Sequence, residues 1–114
     1  MTQYELARAY YVWLCNNCVY DEGTVSSSSL SHLAYSALVD GVAVCDGYTG
    51  AYDLLLRLEG IECTALMNTD HIWTVAELDG KTYHIDTTWG DQGTRVDMSF
   101  FGMTEAQSRA KHAW

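Results

Sequence analysis

Apolar residues recur along this chain at two different periods, and the change of period divides it. Ala7, Tyr10, Tyr11, Leu14 and Cys18 stand three or four apart, the spacing of one helix face, which predicts a helix over residues 3 to 18. Thr2 stands at the N-cap position and Glu5, three residues on, completes a capping box. Asp21, Glu22 and Gly23 end that unit, and the serines at 26–29 read as a loop. Ser31 is placed to cap a short helix through Leu38, closed by Asp40 and Gly41. Tyr48, Ala51, Tyr52, Leu55 and Leu56 then follow the i, i+3, i+4 rule of a helix with one buried face. Arg57 in its last turn suits the helix dipole, and Gly60 is placed as its C-terminal cap.

Beyond residue 60 the period shortens to two. Ile61 to Met67 reads as a strand, and His71 to Asp86 as a hairpin turning at Asp79-Gly80. With those two residues in the turn, Leu78 pairs with Lys81, Val75 with His84 and Trp73 with Asp86. Opposed residues share a face, as do residues two apart along a strand, so His71, Trp73, Val75, His84 and Asp86 lie on one side. His71 becomes the diagonal neighbour of Asp86, with backbones about 7–8 Å apart, a gap that two converging side chains can close. A slip of one residue would destroy the arrangement.

Composition narrows the class. The 114 residues, 48% of them hydrophobic, suit one domain, expected over 1–114. Fifteen acidic residues against six basic give a net charge of −9, and the acids are scattered, which argues against a nucleic-acid partner. No apolar run approaches the roughly 20 residues of a membrane span, and Met1 to Glu5 has no signal-peptide character. The abrupt stop at Trp114 is what a domain excised from a longer protein would show. A secreted parent would place it outside the cell or in the envelope. Four cysteines at irregular spacing do not make a disulfide scaffold.

Chemistry gathers in three phrases. Cys45 sits at or just before the start of the second long helix, where unpaired N–H groups and the helix dipole favour thiolate over thiol. Gly47 keeps bulk away from the sulfur. His71 and Asp86, joined by the hairpin, supply a base and a carboxylate to fix its tautomer. Nucleophile, base and orienting group are the parts of thiol catalysis.

Those phrases carry a resemblance. Gly41 to Tyr48, the leucine-rich helix after them, Gly60-Ile61-Glu62-Cys63, His71-Ile72-Trp73 and Leu78 to Trp89 closely resemble bacterial transglutaminase-like domains. So do the helix ending in Val19-Tyr20-Asp21 and the closing Phe100-Phe101 and His112-Ala113-Trp114. The resemblance implies a papain-related α+β fold, with N-terminal helices and a nucleophile at a helix N-terminus packed on an antiparallel sheet that carries His and Asp. It puts the nucleophile on Cys45, the base on His71 and the orienting carboxylate on Asp86. It also implies a protein or peptide substrate cleaved or transferred through a Cys thioester, with no cofactor and no metal. Hydrolysis is favoured over transamidation because no amine site is visible. Tyr35 is the side chain picked to assist the backbone at the oxyanion. Thr74 departs from the pattern, which has Asn there, and Gly90-Asp91-Gln92 replaces an acidic-Pro ending.

Plainer readings stand beside each of these. Cys45 and Cys63 read alone are packing cysteines. His71 is a satisfied histidine at a sheet edge, and Asp86 caps the turn into Thr87-Thr88. His84 shares the sheet face and is the rival base, expected at the rim or behind the site. Trp73, Trp89 and Tyr48 are either groove lining or core. The same fold without catalysis would be a protein-binding or assembly module. Cys15 and Cys18 raise a zinc or redox alternative, in which His32 or His112 would complete a metal site.

Overall fold

The structure, a computed structural model, describes residues 1–20, 42–43, 45–68, 71–92 and 95–112. The turn expected at Asp21, the serine loop, the helix from Ser31 to Leu38, His32 and Tyr35 lie outside the described residues, as does the side chain of Cys45.

Helix α1 spans Gln3–Asn17, and its capping box is formed: Glu5 N–H donates to Thr2 Oγ1 at 3.1 Å while Thr2 N–H donates to Glu5 Oε1 at 2.8 Å. The predicted face is the buried one at Ala7, Tyr11, Leu14 and Cys18, joined by Cys15. Tyr10 is an exception, half-buried with its hydroxyl donating to Glu59 at 2.7 Å. Val19–Tyr20 does not extend the helix. It forms strand β1, parallel to β2 (Val42–Ala43), through the pairs Val19 with Val42 and Tyr20 with Ala43. β-branched and aromatic side chains favour that extended state. The pairing holds the chain entering α2 beside the end of α1.

Helix α2 spans Cys45–Leu58, and Gly60 follows it at φ 75°, the left-handed position that closes a helix. Tyr48, Ala51, Tyr52 and Leu56 are fully buried, and Tyr52 donates to the Ala7 carbonyl at 2.7 Å, locking α2 onto α1. Strands β3 (Cys63–Met67), β4 (Ile72–Leu78) and β5 (Lys81–Ile85) form an antiparallel sheet in that order. The hairpin register is the expected one, Leu78 with Lys81 and Val75 with His84. Asp79 and Gly80 stand at φ 52° and 82°, both left-handed as a type I′ turn needs. Asp79 also accepts from the N–H groups of Gln3 and Tyr4 at 3.3 and 3.1 Å, which ties the turn to the start of α1.

Ala76, Leu78 and Ile85 join α1 and α2 in the main core. Trp73 and His84 lie on the other face, covered by Met103 and helix α4 (Glu105–His112), which follow helix α3 (Thr87–Gly90), packed on α1 and α2, and a 3-10 turn (Met98–Phe100). His84 and Met103 exchange backbone hydrogen bonds at 2.8 and 2.9 Å, and Asp86 N–H donates to Phe100 O at 2.9 Å. Those bonds bring α4 back over the hairpin.

One polar pair is buried with the core. Asp53 on α2 accepts from the hydroxyl of Thr74. Burial pushes the Asp53 carboxyl up to about 6, against the pull of Thr74 and of Arg57. Its folded value stands above the unfolded value of about 3.9, so its contribution is full below about pH 4 and is lost as pH rises through about 6. Asp53→Asn keeps an acceptor for Thr74 and removes the charge. The variant is expected to gain roughly 1–3 kcal/mol at pH 7 and to lack that decline between pH 4 and 6. Urea titrations of both proteins across that range check it; parallel curves with no gain at pH 7 would contradict it.

Candidate active site

The site is built where three element ends meet. Asp86 leaves β5 and caps α3, with Oδ1 accepting from Trp89 N–H at 3.0 Å. His71 stands directly before β4, its N–H donating to Asn68 Oδ1 at 2.8 Å. Cys45 opens α2 one turn before Tyr48 and Thr49. Thr49 donates to the carbonyl of Ile72, the neighbour of His71, at 3.2 Å. Tyr48 donates to Asp91 at 2.7 Å, just past α3. The first turn of α2 is thereby fastened to the segments bearing both His71 and Asp86.

His71 Nε2–H donates to Asp86 Oδ2 at 2.8 Å. The diagonal contact that the hairpin register implies is therefore made, and the turn-capping reading of Asp86 holds as well, because the two uses fall on different oxygens. Burial alone would raise the Asp86 carboxyl, but hydrogen bonds from His112 and His71 outweigh it and hold the group below its ordinary value. The carboxylate is fully buried and ionised, while the His71 side chain keeps 7% exposure.

A second histidine meets the same oxygen. His112, the last residue of α4, approaches Asp86 Oδ2 through Nε2 at 2.8 Å and is fully buried in its side chain. Four rings lie close to parallel around the cluster. His71 stacks on Trp89 at 4.3 Å and 8°, Trp89 on His112 at 4.8 Å and 19°, and His112 on Trp73 at 3.9 Å and 6°. Sequence reasoning treated His112 only as a possible zinc ligand and as part of a closing phrase. Its separation of 26 residues from Asp86 carries no register to follow.

His71, Asp86 and His112 are also the one metal-capable trio among the described residues, with ligand atoms within 4.8 Å of one another. The geometry is that of a hydrogen-bonded cluster. Each nitrogen points at the carboxylate oxygen at 2.8 Å, so an ion at the roughly 2 Å of a metal–nitrogen bond would need the place that Oδ2 holds.

Other expectations resolve differently. His84 is not at the rim. It is buried, and its Nδ1 accepts from Trp73 Nε1–H at 3.1 Å, which requires that nitrogen to be unprotonated. Burial pushes its basicity down in the same direction. Trp73 and Tyr48 are core, whereas Trp89 is half-buried against His71. Cys15 donates its S–H to the Thr87 carbonyl at 3.5 Å, and burial, with the charges of Asp91 and Asp86, pushes the thiol up to about 12. A thiol held neutral is a poor redox nucleophile, and neither Cys15 nor Cys18 belongs to a metal-capable cluster among the described residues. Cys63 is half-buried, with burial pushing it up to about 11.

Comparison with known proteins agrees with this architecture. The model of the transglutaminase-like superfamily matches residues 1–114. Kyphoscoliosis peptidase of Homo sapiens is 24% identical over 106 residues, and that of Mus musculus 25% over 103. The matches take in 78% and 75% of this chain but 16% of each relative, so the chain spans about a sixth of their length. A solved structure described as a TGase superposes with a TM-score of 0.68 at 16% identity, covering 82% of this chain and 28% of that one. At that identity the likeness shows the fold.

Proposed function

The chain belongs to the transglutaminase-like superfamily, and on that premise we propose that it is a thiol-dependent enzyme acting on amide bonds of proteins or peptides. Cys45 is the nucleophile, His71 the base and Asp86 the residue that orients it. The observation that carries the reading is the 2.8 Å bond from His71 Nε2–H to a buried, ionised Asp86, beside the helix that Cys45 opens. Engagement of Nε2 by the carboxylate sets Nδ1 to serve the sulfur.

The Cys45 thiolate attacks the amide carbonyl, and the oxyanion that forms is met by N–H groups at the start of α2. The C–N bond breaks as His71 gives its Nδ1 proton to the leaving amine, and a thioester remains on Cys45. Water then adds to the thioester with His71 taking its proton, the C–S bond breaks, and acid and thiolate are released. An amine in place of water gives transamidation. Hydrolysis is the outcome we favour, because no seat for an amine is evident among the described residues.

Iodoacetamide labelling near pH 6, mapped by mass spectrometry, tests the activated thiol. Cys45 is expected to react at least about tenfold faster than Cys15, Cys18 or Cys63, since a helix N-terminus and an adjacent imidazolium lower a thiol where burial raises it. His71→Ala is expected to remove that advantage. Equal rates at all four thiols, or an unchanged rate in His71→Ala, would leave the chain as a binding module on the same fold. A panel of peptide amides with and without added amine then separates the two acyl acceptors.

A further inference from the structure

Asp86 is held by three N–H donors, and they are not equivalent. Trp89 N–H serves Oδ1, while His71 and His112 share Oδ2. His71 is the most exposed of the cluster and, in the reading above, works between sulfur and leaving group. His112 is fixed on every side. Its ring lies 3.9 Å from Trp73, and its Nδ1 stands 2.9 Å from the Ser108 hydroxyl and 3.1 Å from the Ser108 carbonyl. Its own carbonyl accepts from Asn68 Nδ2 at 2.6 Å, the same Asn68 whose Oδ1 receives the His71 N–H. One side chain thus pins the backbones of both histidines.

We propose that His112 is a positioning residue: the stationary donor that holds Asp86 Oδ2 in place, so that the working unit of this chain is four side chains. The inference rests on the assignment of Cys45, His71 and Asp86. Its logic is mechanical. Without His71, each carboxylate oxygen still has one fixed donor. Without His112, Oδ2 is held only by the ring it has to orient, and Trp89 N–H on Oδ1 is left as the one stationary donor to the carboxylate. Trp73 belongs to the same device, since its indole N–H is anchored on His84 and its face supports His112.

The test compares His112→Phe, which keeps a flat ring against Trp73 but donates nothing, with His112→Gln, whose amide nitrogen reaches the position of Nε2. The readouts are the pH profile of Cys45 alkylation by iodoacetamide, the thermal melt, and low-field proton spectra of wild-type protein. His112→Phe is expected to slow alkylation near pH 6 by about 10- to 100-fold, the worth of a hydrogen bond to a charged group. Its profile should move to higher pH, and His112→Gln should recover to within a few-fold. The wild-type spectrum should show His112 Nε2 protonated and shifted to low field. A wild-type rate in His112→Phe overturns the proposal. So does a His112→Gln that melts like wild type yet reacts as slowly as His112→Phe, or a His112 Nε2 without a proton, which needs no variant to fold. His71→Ala separates the two levels: if it leaves alkylation unchanged the active-site reading itself fails, whereas His71 dependence with an indifferent His112 removes only this role.

Discussion

Asp86→Ala is expected to be the most damaging single change in this protein, lowering stability by about 3–5 kcal/mol and reducing Cys45 alkylation near pH 6 to that of an ordinary thiol. One carboxylate satisfies the cap of α3 and both histidines, in a place with no solvent access. Alanine leaves those donors unpaired together. Asp86→Asn keeps the shape but offers one acceptor oxygen where two are used, and its NH2 meets N–H groups. It is expected to cost about 1–3 kcal/mol and still to lose the activated thiol. The pH dependence follows from the depressed carboxyl. Its contribution is present above the unfolded value of about 3.9 and is lost as pH falls through the lower folded value. Wild type should therefore weaken more steeply than Asp86→Asn below pH 4. Urea midpoints at pH 7 and pH 3 check both statements. An Asp86→Asn protein that labels Cys45 at the wild-type rate would show that the carboxylate does not tune the thiol.

The part of this site legible in the sequence is the part that short-range geometry dictates. Asp79-Gly80 forms a tight turn with both residues left-handed, and that turn fixes the register that brings His71 to Asp86. The helices of Cys45 and Thr2 announce themselves through caps and apolar spacing for the same reason. Contacts that cross long stretches of chain leave no such local signal. His112 reaches Asp86 by way of the 3-10 turn, the Met103 bridge and α4, none of which has a strong period or turn signal. Asn68 looks like a loop residue and serves two backbones at once. His84 was separated correctly from Asp86 by register, yet its burial depends on α4 folding over it. Asp86 is instructive in another way. Turn cap and histidine partner are rival explanations for this aspartate in the sequence, and its two oxygens make them compatible. The capped turn holds rigid the carboxylate that His71 meets.

That rigidity depends on Gly90, the last residue of α3. Gly90→Ala is expected to destabilise the protein by about 1–3 kcal/mol or more, because an added Cβ would lie 1.8 Å from the Tyr11 hydroxyl oxygen and 2.5 Å from its Cζ. Tyr11 cannot give way easily: it is fully buried, its ring packs against Tyr52 and Phe101, and its hydroxyl donates to the Asp97 carbonyl. The glycine cannot retreat either, since its N–H donates to the Asp86 carbonyl at 3.0 Å and its own carbonyl accepts from Asp97 N–H at 2.8 Å. Strain at Gly90 is thus passed along one helical turn to Asp86, and Gly90→Ala should also slow Cys45 alkylation although it touches none of the reacting groups. Tyr11→Phe removes the atom in closest conflict. By itself it should cost about 1 kcal/mol for the lost hydrogen bond, but in the Gly90→Ala background it should cost less or stabilise. A coupling energy above about 0.5 kcal/mol in that double-mutant cycle is the expected sign of the collision. Additive effects, or a Gly90→Ala protein that melts with wild type, would mean that α1 and α3 yield freely here, and the carboxylate would then owe its position to the histidines alone.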